Sequence, residues 1–169
     1  MKNIKLKICG MKDSENITEI SALQPDYLGF IFWEKSKRNM TLVSIPELPE
    51  TIKKVGVFVD ASIQEIATKI NQYQLDIIQL HGNESVIFCK NVKKFSVEVI
   101  KVFSVDSTFN FSVVKEYVLA VDYFLFDTKG KLPGGNGITF DWTILENYHF
   151  NVPYFLSGGI GTTEIDGLK

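Results

Sequence analysis

Seven short apolar runs, rich in β-branched and aromatic residues, recur along the chain at nearly constant spacing. Their C-terminal ends follow one another every 22 to 30 residues, and the intervals between them are polar, several with apolar residues at helical spacing. Short buried runs of this composition are typical of β-strands, and intervals of this length allow helical crossovers between parallel strands. The sequence therefore predicts a repeated βα unit. The predicted strands are Ile4–Cys9, Tyr27–Phe32, Val55–Val59, Ile77–His81, Val99–Phe103, Tyr123–Asp127 and Pro153–Ser157. The predicted helices are Asp13–Leu23, Ser62–Tyr73, Glu84–Phe95 and Phe111–Leu119, with Asp141–Trp142 as the start of another.

Two α/β architectures satisfy this pattern, a doubly wound open sheet and a (β/α)8 barrel of the TIM-barrel type. A dinucleotide-binding open sheet has a glycine-rich turn after its first strand, but no second glycine follows Gly10. Polar or reactive residues instead end the predicted strands, namely Cys9, His81, Asp127 and Ser157. In barrels this edge is the active face, so the sequence favours the barrel.

The length of the chain conflicts with a closed barrel. Its 169 residues, 45% of them hydrophobic and 22% charged, predict a single barrel domain over residues 1–169 with a sizeable core. Barrels of this type have eight strands and at least about 200 residues, whereas seven strands are predicted here. We therefore expect the domain to be C-terminally incomplete, and the natural polypeptide to continue for about 30–40 residues, the length of one βα unit.

Composition excludes several classes of partner. A net charge of −2 does not attract a polyanion, so we predict no nucleic-acid binding. No apolar run approaches the roughly 18–20 residues that span a bilayer, and we expect no membrane association and a cytoplasmic location. The two cysteines, Cys9 and Cys89, have neither a disulfide framework nor metal-ligand spacing, which indicates a reducing compartment and no metal site. Cys89 falls in a predicted amphipathic helix, where a packing role is expected.

A series of short motifs follows in fixed order along essentially the whole chain. They are Lys7–Gly10, Gly29–Phe32, Ser36–Arg38, Gly56–Val59, Gln79–Gly82, Asp127–Thr128, Gly134–Gly137, Phe140–Trp142 and Leu156–Gly159. Singly most are weak signals, but the ordered set resembles the phosphoribosylanthranilate isomerase family. The resemblance implies a (β/α)8 barrel that catalyses the Amadori rearrangement of N-(5-phosphoribosyl)anthranilate to 1-(2-carboxyphenylamino)-1-deoxyribulose 5-phosphate in tryptophan biosynthesis. It implies a small phosphorylated aminosugar as substrate and no cofactor, and leaves monomer and homodimer both open.

That chemistry needs a general acid and a general base at the ends of different strands. The resemblance implies that Cys9 is the base and Asp127 the acid. Without it, the commonest role of a free cysteine such as Cys9 is a small buried hydrophobe. Asp127 could equally cap a turn with Thr128, although the long loop that follows favours a functional site.

The remaining candidates would bind substrate. Arg38 could hold the anthranilate carboxylate with its guanidinium, or be a solvated charge. His81 could contact the substrate or be a hydrogen-bonded structural histidine. Ser157, Gly158 and Gly159 offer backbone amides to a phosphate, and Gly135 lies in a preceding loop with the same potential; ordinary turns are the alternative in both places.

Two other functions remain open. A related phosphosugar barrel enzyme such as indole-glycerol-phosphate synthase would need a catalytic lysine and glutamate on strand ends. Lys101 lies on the fifth predicted strand, but no acidic strand end other than Asp127 accompanies it. A non-catalytic or incomplete phosphate-binding barrel is the second alternative.

Overall fold

The fold is a seven-stranded parallel sheet in which each strand pairs with the next along the chain. The structure, a computed structural model, describes residues 4–129, 141–161 and 164. The strands are β1 (Lys7–Cys9), β2 (Tyr27–Ile31), β3 (Lys53–Phe58), β4 (Ile77–Leu80), β5 (Glu98–Val105), β6 (Tyr123–Thr128) and β7 (Tyr154–Ser157). The helices are α1 (Ser14–Ser21), α2 (Ile63–Tyr73) and α3 (Val86–Lys93), and 3₁₀ helices span Phe111–Tyr117 and Trp142–Asn147.

Each α-helix begins at a capping side chain. Asp13, Ser62 and Ser85 precede α1, α2 and α3, and each accepts a hydrogen bond from the backbone amide three residues further on. Such caps satisfy amides that would otherwise lack a partner in the first turn. They determine where each strand-to-helix loop ends.

The sheet has an apolar layer on each face. The larger layer lies between strands and helices and includes Phe30, Ile78 and Phe124. The smaller layer lies on the opposite, concave face. There the rings of Tyr27 on β2 and Phe155 on β7 meet with centroids 5.2 Å apart, although four strands lie between them in the sheet. The sheet is therefore curled as in a barrel, and the concave face is its interior.

Strand register brings the chemically interesting residues to one rim of the barrel. Cys9 pairs with Gly29 at the end of β1, and Asp127 pairs with Ser157 near the ends of β6 and β7. Because side chains alternate between the faces of a strand, residues in register with the apolar interior positions share that face. Asp127 lies two residues beyond interior Leu125 and therefore faces the interior.

The predicted parallel α/β architecture with seven strands is confirmed, and all seven C-terminal strand ends lie within two residues of their predicted positions. Two details are wrong. The βα repeat does not hold throughout, because no helix occurs in the described chain between β2 and β3. This interval contains Pro46 and Pro49, whose missing amide donors disfavour a helix. The helices predicted at Phe111–Leu119 and from Asp141 are 3₁₀ helices, which span Phe111–Tyr117 and Trp142–Asn147.

No helix in the portion of the chain that the structure describes is long and apolar enough to cross a membrane.

Candidate active site

Cys9 is the last residue of β1, and its thiol lies over Gly29 on β2. A Cβ atom on Gly29 would come within 2.6 Å of Cys9 Sγ and 3.1 Å of Lys7 Nζ, so both side chains occupy space that only glycine leaves. Cys9 is half-buried, which keeps its sulfur within reach of a ligand. The Lys7 ammonium places positive charge on the same surface, where it would attract a thiolate.

Arg38 is anchored to the backbone of Cys9. Its Nη1 donates a hydrogen bond of 3.1 Å to the Cys9 carbonyl oxygen, and its side chain lies across Gly10. Gly10 has a φ of 94°, in the left-handed region, and a Cβ there would come within 2.6 Å of Arg38 Cδ. The Ser36 hydroxyl accepts a hydrogen bond from the Arg38 amide and shapes the loop. This arrangement places an exposed guanidinium against the backbone of Cys9 and leaves its other N–H donors for an anion.

Asp127 and His81 meet at the same rim. Asp127 is 4% exposed, and His81 follows directly after β4, with its amide bonded to the Phe58 carbonyl at 2.8 Å. His81 Nε2 lies 3.6 Å from Asp127 Oδ2, within ion-pair range but beyond a hydrogen bond. His81 Nε2 is buried and has no hydrogen-bond partner among the described residues. A buried nitrogen without a partner beside a buried carboxyl can form a hydrogen bond to a ligand.

The candidate phosphate loop follows β7. Gly158 and Gly159 have φ values of 96° and 66°, and a Cβ on Gly158 would come within 2.8 Å of the Thr128 amide nitrogen. The close approach to Thr128 therefore requires glycine at position 158. Further along, the Gly161 amide donates to Glu164 Oε2 at 2.7 Å, so this amide is already occupied. An anion at this loop would therefore bind the amides nearer Ser157.

Gly135, predicted to help bind phosphate, lies outside the described residues. The other predicted site residues form two groups on the same rim. One contains Cys9 and Arg38, and the other contains His81, Asp127 and Ser157.

Sequence reasoning missed two residues. Gln79 is 3% exposed on β4, and its Oε1 has no hydrogen-bond partner within the described ranges. The available signals were an amide in an otherwise apolar strand and the place of Gln79 at the start of the Gln79–Gly82 motif. Glu84 was missed as the acidic partner of Lys101, to which it is bonded at 3.0 Å. Lys101 lies between Ile100 and Val102, which face the interior, so it points to the outer face, away from a catalytic position.

Cys89 differs from Cys9 as the packing prediction requires. It is fully buried on α3, and burial raises the pKa of its thiol to about 11. Only the thiolate reacts readily with disulfide reagents.

We predict that a chromogenic disulfide reagent at pH 8 modifies one thiol rapidly in the native chain. Cys9→Ala should remove this fast phase, and Cys89→Ala should leave it unchanged. Denaturation should expose the second thiol. A fast phase that persists in Cys9→Ala would contradict the assignment of the accessible thiol.

Known proteins match both the sequence and the fold. A family model described as N-(5′phosphoribosyl)anthranilate (PRA) isomerase matches residues 6–168. The N-(5′-phosphoribosyl)anthranilate isomerase of Parabacteroides distasonis is 40% identical over 169 residues, covering 97% of this chain and 76% of the relative. The crystal structure of phosphoribosyl anthranilate isomerase from Thermus thermophilus has a TM-score of 0.82 at 24% identity, covering 98% of this chain and 82% of that one. A phosphoribosyl anthranilate isomerase in complex with reduced 1-(o-carboxyphenylamino)-1-deoxyribulose 5-phosphate has a TM-score of 0.79 at 28% identity, covering 97% and 80%.

Proposed function

The chain belongs to the N-(5′-phosphoribosyl)anthranilate isomerase family, and we propose that Cys9 and Asp127 carry out the proton transfers of its reaction. It is an isomerase of tryptophan biosynthesis with a (β/α)8-barrel fold. The observation that supports these roles is a half-buried thiol and a buried carboxyl at the C-terminal ends of different strands on one rim. Catalytic groups of barrel enzymes lie at this rim.

The rearrangement begins with two proton transfers in sequence, and two more complete it. Asp127 donates a proton to the furanose ring oxygen, the bond from C1′ to that oxygen breaks, and the nitrogen lone pair forms the C1′=N Schiff base. Cys9, as thiolate, then removes the proton from C2′, the electron pair of that C–H bond forms the C1′=C2′ bond, and the π pair of C1′=N returns to nitrogen to give the enolamine. A proton added at C1′ and one lost from the C2′ hydroxyl give the ketone, so the product has the composition of the substrate. Each step needs its group within hydrogen-bond reach of the reacting atom.

Arg38 is proposed to bind the anthranilate carboxylate. Its guanidinium presents five N–H donors in a planar fork, of which one is used by the Cys9 carbonyl. A carboxylate bound there would place the aromatic ring beside the thiol. Ser157, Gly158 and Gly159 are proposed to bind the phosphate through their backbone amides, for which the left-handed glycines give an open approach.

We expect Arg38→Ala to raise KM more than it lowers kcat, because the carboxylate is held equally in ground state and transition state. Steady-state kinetics with N-(5-phosphoribosyl)anthranilate measures this split. Lys37→Ala removes a neighbouring exposed cation and should leave KM unchanged. A preference of the variant for product analogues with the carboxylate over analogues without it, equal to that of wild type, would contradict the role of Arg38.

We further propose that the protein works in the reducing cytoplasm. Both cysteines are free, and a catalytic thiol needs a compartment in which it stays reduced.

A further inference from the structure

Lys101 on β5 is a buried cation with its donors fully used. It is 3% exposed, and its Nζ lies 3.0 Å from Glu84 Oε2 and 2.7 Å from the Gly82 carbonyl oxygen. Longer contacts of 3.5 and 3.3 Å reach the carbonyl oxygens of Leu80 and Val102. Leu80 and Gly82 are the residues on either side of His81. One ammonium group therefore holds the backbone on both sides of this histidine.

Glu84 holds the same loop through its amides. Its carboxylate accepts hydrogen bonds from the Gly82 amide at 3.0 Å and from the Asp60 amide at 3.1 Å. Asp60 in turn accepts from the Asn83 amide at 2.6 Å. Gly82 has no room for a side chain, because a Cβ there would come within 2.7 Å of the Asp60 amide nitrogen. The loop after β4 is thus tied to the loop after β3 as well as to β5.

Stability alone gives little reason for this pair. Removing two charges from water carries a large desolvation penalty, and well-packed apolar residues of similar volume often stabilise a fold as well or better. The neighbouring Cys89 thiol stays neutral, with a pKa raised to about 11, and adds no charge. The pair instead contacts the backbone of Leu80 and Gly82, the two neighbours of His81. His81 Nε2 lies 3.6 Å from Asp127 Oδ2.

We propose that the buried Lys101–Glu84 ion pair is a positioning device for His81, which holds the imidazole against the acid Asp127. This inference rests on the proposed function of Asp127. The ion pair touches no reacting atom, so Lys101 and Glu84 are positioning residues. Their loss should impair catalysis through kcat, since substrate-binding groups such as Arg38 lie on other loops.

The test is a neutral double variant, Lys101→Met with Glu84→Gln. It leaves no unpaired buried charge and keeps an oxygen that can accept from the amides of Asp60 and Gly82. We expect kcat to fall by about 10- to 100-fold, the range for a catalytic group displaced by up to about 1 Å, with KM changed by less than about two-fold. The matched control is Lys53→Met with Glu98→Gln, which removes an exposed ion pair of 2.9 Å. Lys53 and Glu98 lie at the N-terminal ends of β3 and β5, away from the rim that carries His81 and Asp127. This control should leave kcat and KM unchanged.

A second readout needs no substrate. The chain has two histidines, and His149 is exposed, so it serves as an internal reference for His81 in proton NMR of the imidazole rings. In the double variant the His81 signals should shift or broaden while those of His149 stay fixed. If the double variant does not fold, Glu84→Asp keeps both charges but shortens the reach to the loop amides, and the same change at His81 is expected.

The outcomes separate this inference from the proposed function. Unchanged His81 signals in a folded variant would overturn the positioning role whatever Asp127 does. A kcat equal to wild type in the double variant would overturn it if Asp127→Asn lowers kcat. If Asp127→Asn keeps wild-type kcat while the His81 signals move, the proposed role of Asp127 fails and the link from the ion pair to His81 stands.

Discussion

Cys9→Ala is expected to lower kcat by about 10²–10⁴-fold, the range for removing a positioned general base, with little change in substrate affinity. Alanine keeps the fold of β1, because the sulfur lies over Gly29 and outside both apolar layers. No other thiol can replace it, since Cys89 is fully buried on α3. Steady-state kinetics with N-(5-phosphoribosyl)anthranilate measures the loss.

The matched control is Cys89→Ala, the same substitution at the other cysteine. It should lower the free energy of unfolding by about 1 kcal/mol, as typical for a small core truncation, and leave kcat unchanged. Wild-type turnover by Cys9→Ala would return Cys9 to the packing role that is commonest for a free cysteine.

Asp127→Asn is expected to abolish ring opening while the fold is preserved. Asparagine has nearly the same shape as aspartic acid but has no acidic proton to give to the ring oxygen, so kcat should fall by about 10²–10⁴-fold. The pH–rate profile should also lose the limb that reports the general acid. Thermal unfolding checks that the buried amide is accommodated.

Asp106→Asn is the control for Asp127→Asn. Asp106 follows β5 directly and forms an ion pair of 2.7 Å with Lys129, which follows β6. Asp106 therefore lies close to Asp127, which is two residues before Lys129. Hydrogen bonds from Lys129 and Thr108 lower the pKa of Asp106 to about 2, so this half-buried carboxyl is ionised at neutral pH and cannot act as the acid. Its substitution should leave kcat intact. A pH–rate profile that Asp127→Asn does not alter would remove Asp127 from the mechanism.

The fold was largely predictable because each strand carries its own signal. The ends of β1 and β7 were predicted at Cys9 and Ser157, where a strand-like run of apolar residues is followed by glycine. Helices were less predictable, since Phe111–Tyr117 has apolar residues at helical spacing and still forms a 3₁₀ helix. Its Phe111 ring packs against Phe109 and Phe126, and tertiary contacts of this kind can override local propensity.

The sequence supplies candidate residues for the site but not the contacts between them. Strand-end positions and motif order predicted Cys9, Arg38 and Asp127. The hydrogen bond from Arg38 to the Cys9 carbonyl links residues 29 positions apart and depends on how the loop after β2 folds back. The ion pair of Lys101 with Glu84 is similar, because the two residues lie 17 positions apart, one on β5 and the other in the loop after β4. Such contacts follow from the order of strands in the sheet.

The rate of hydrogen removal from C2′ measures whether Cys9 is the general base. N-(5-phosphoribosyl)anthranilate carrying deuterium at C2′ is mixed with the chain in excess, so that one turnover is observed and product release does not mask the chemistry. We expect the wild-type chain to convert this substrate more slowly than the undeuterated form. Cys9→Ala should convert it at least about 10²-fold more slowly than wild type does. Conversion of the deuterated substrate by Cys9→Ala at the wild-type rate would show that Cys9 is not the general base.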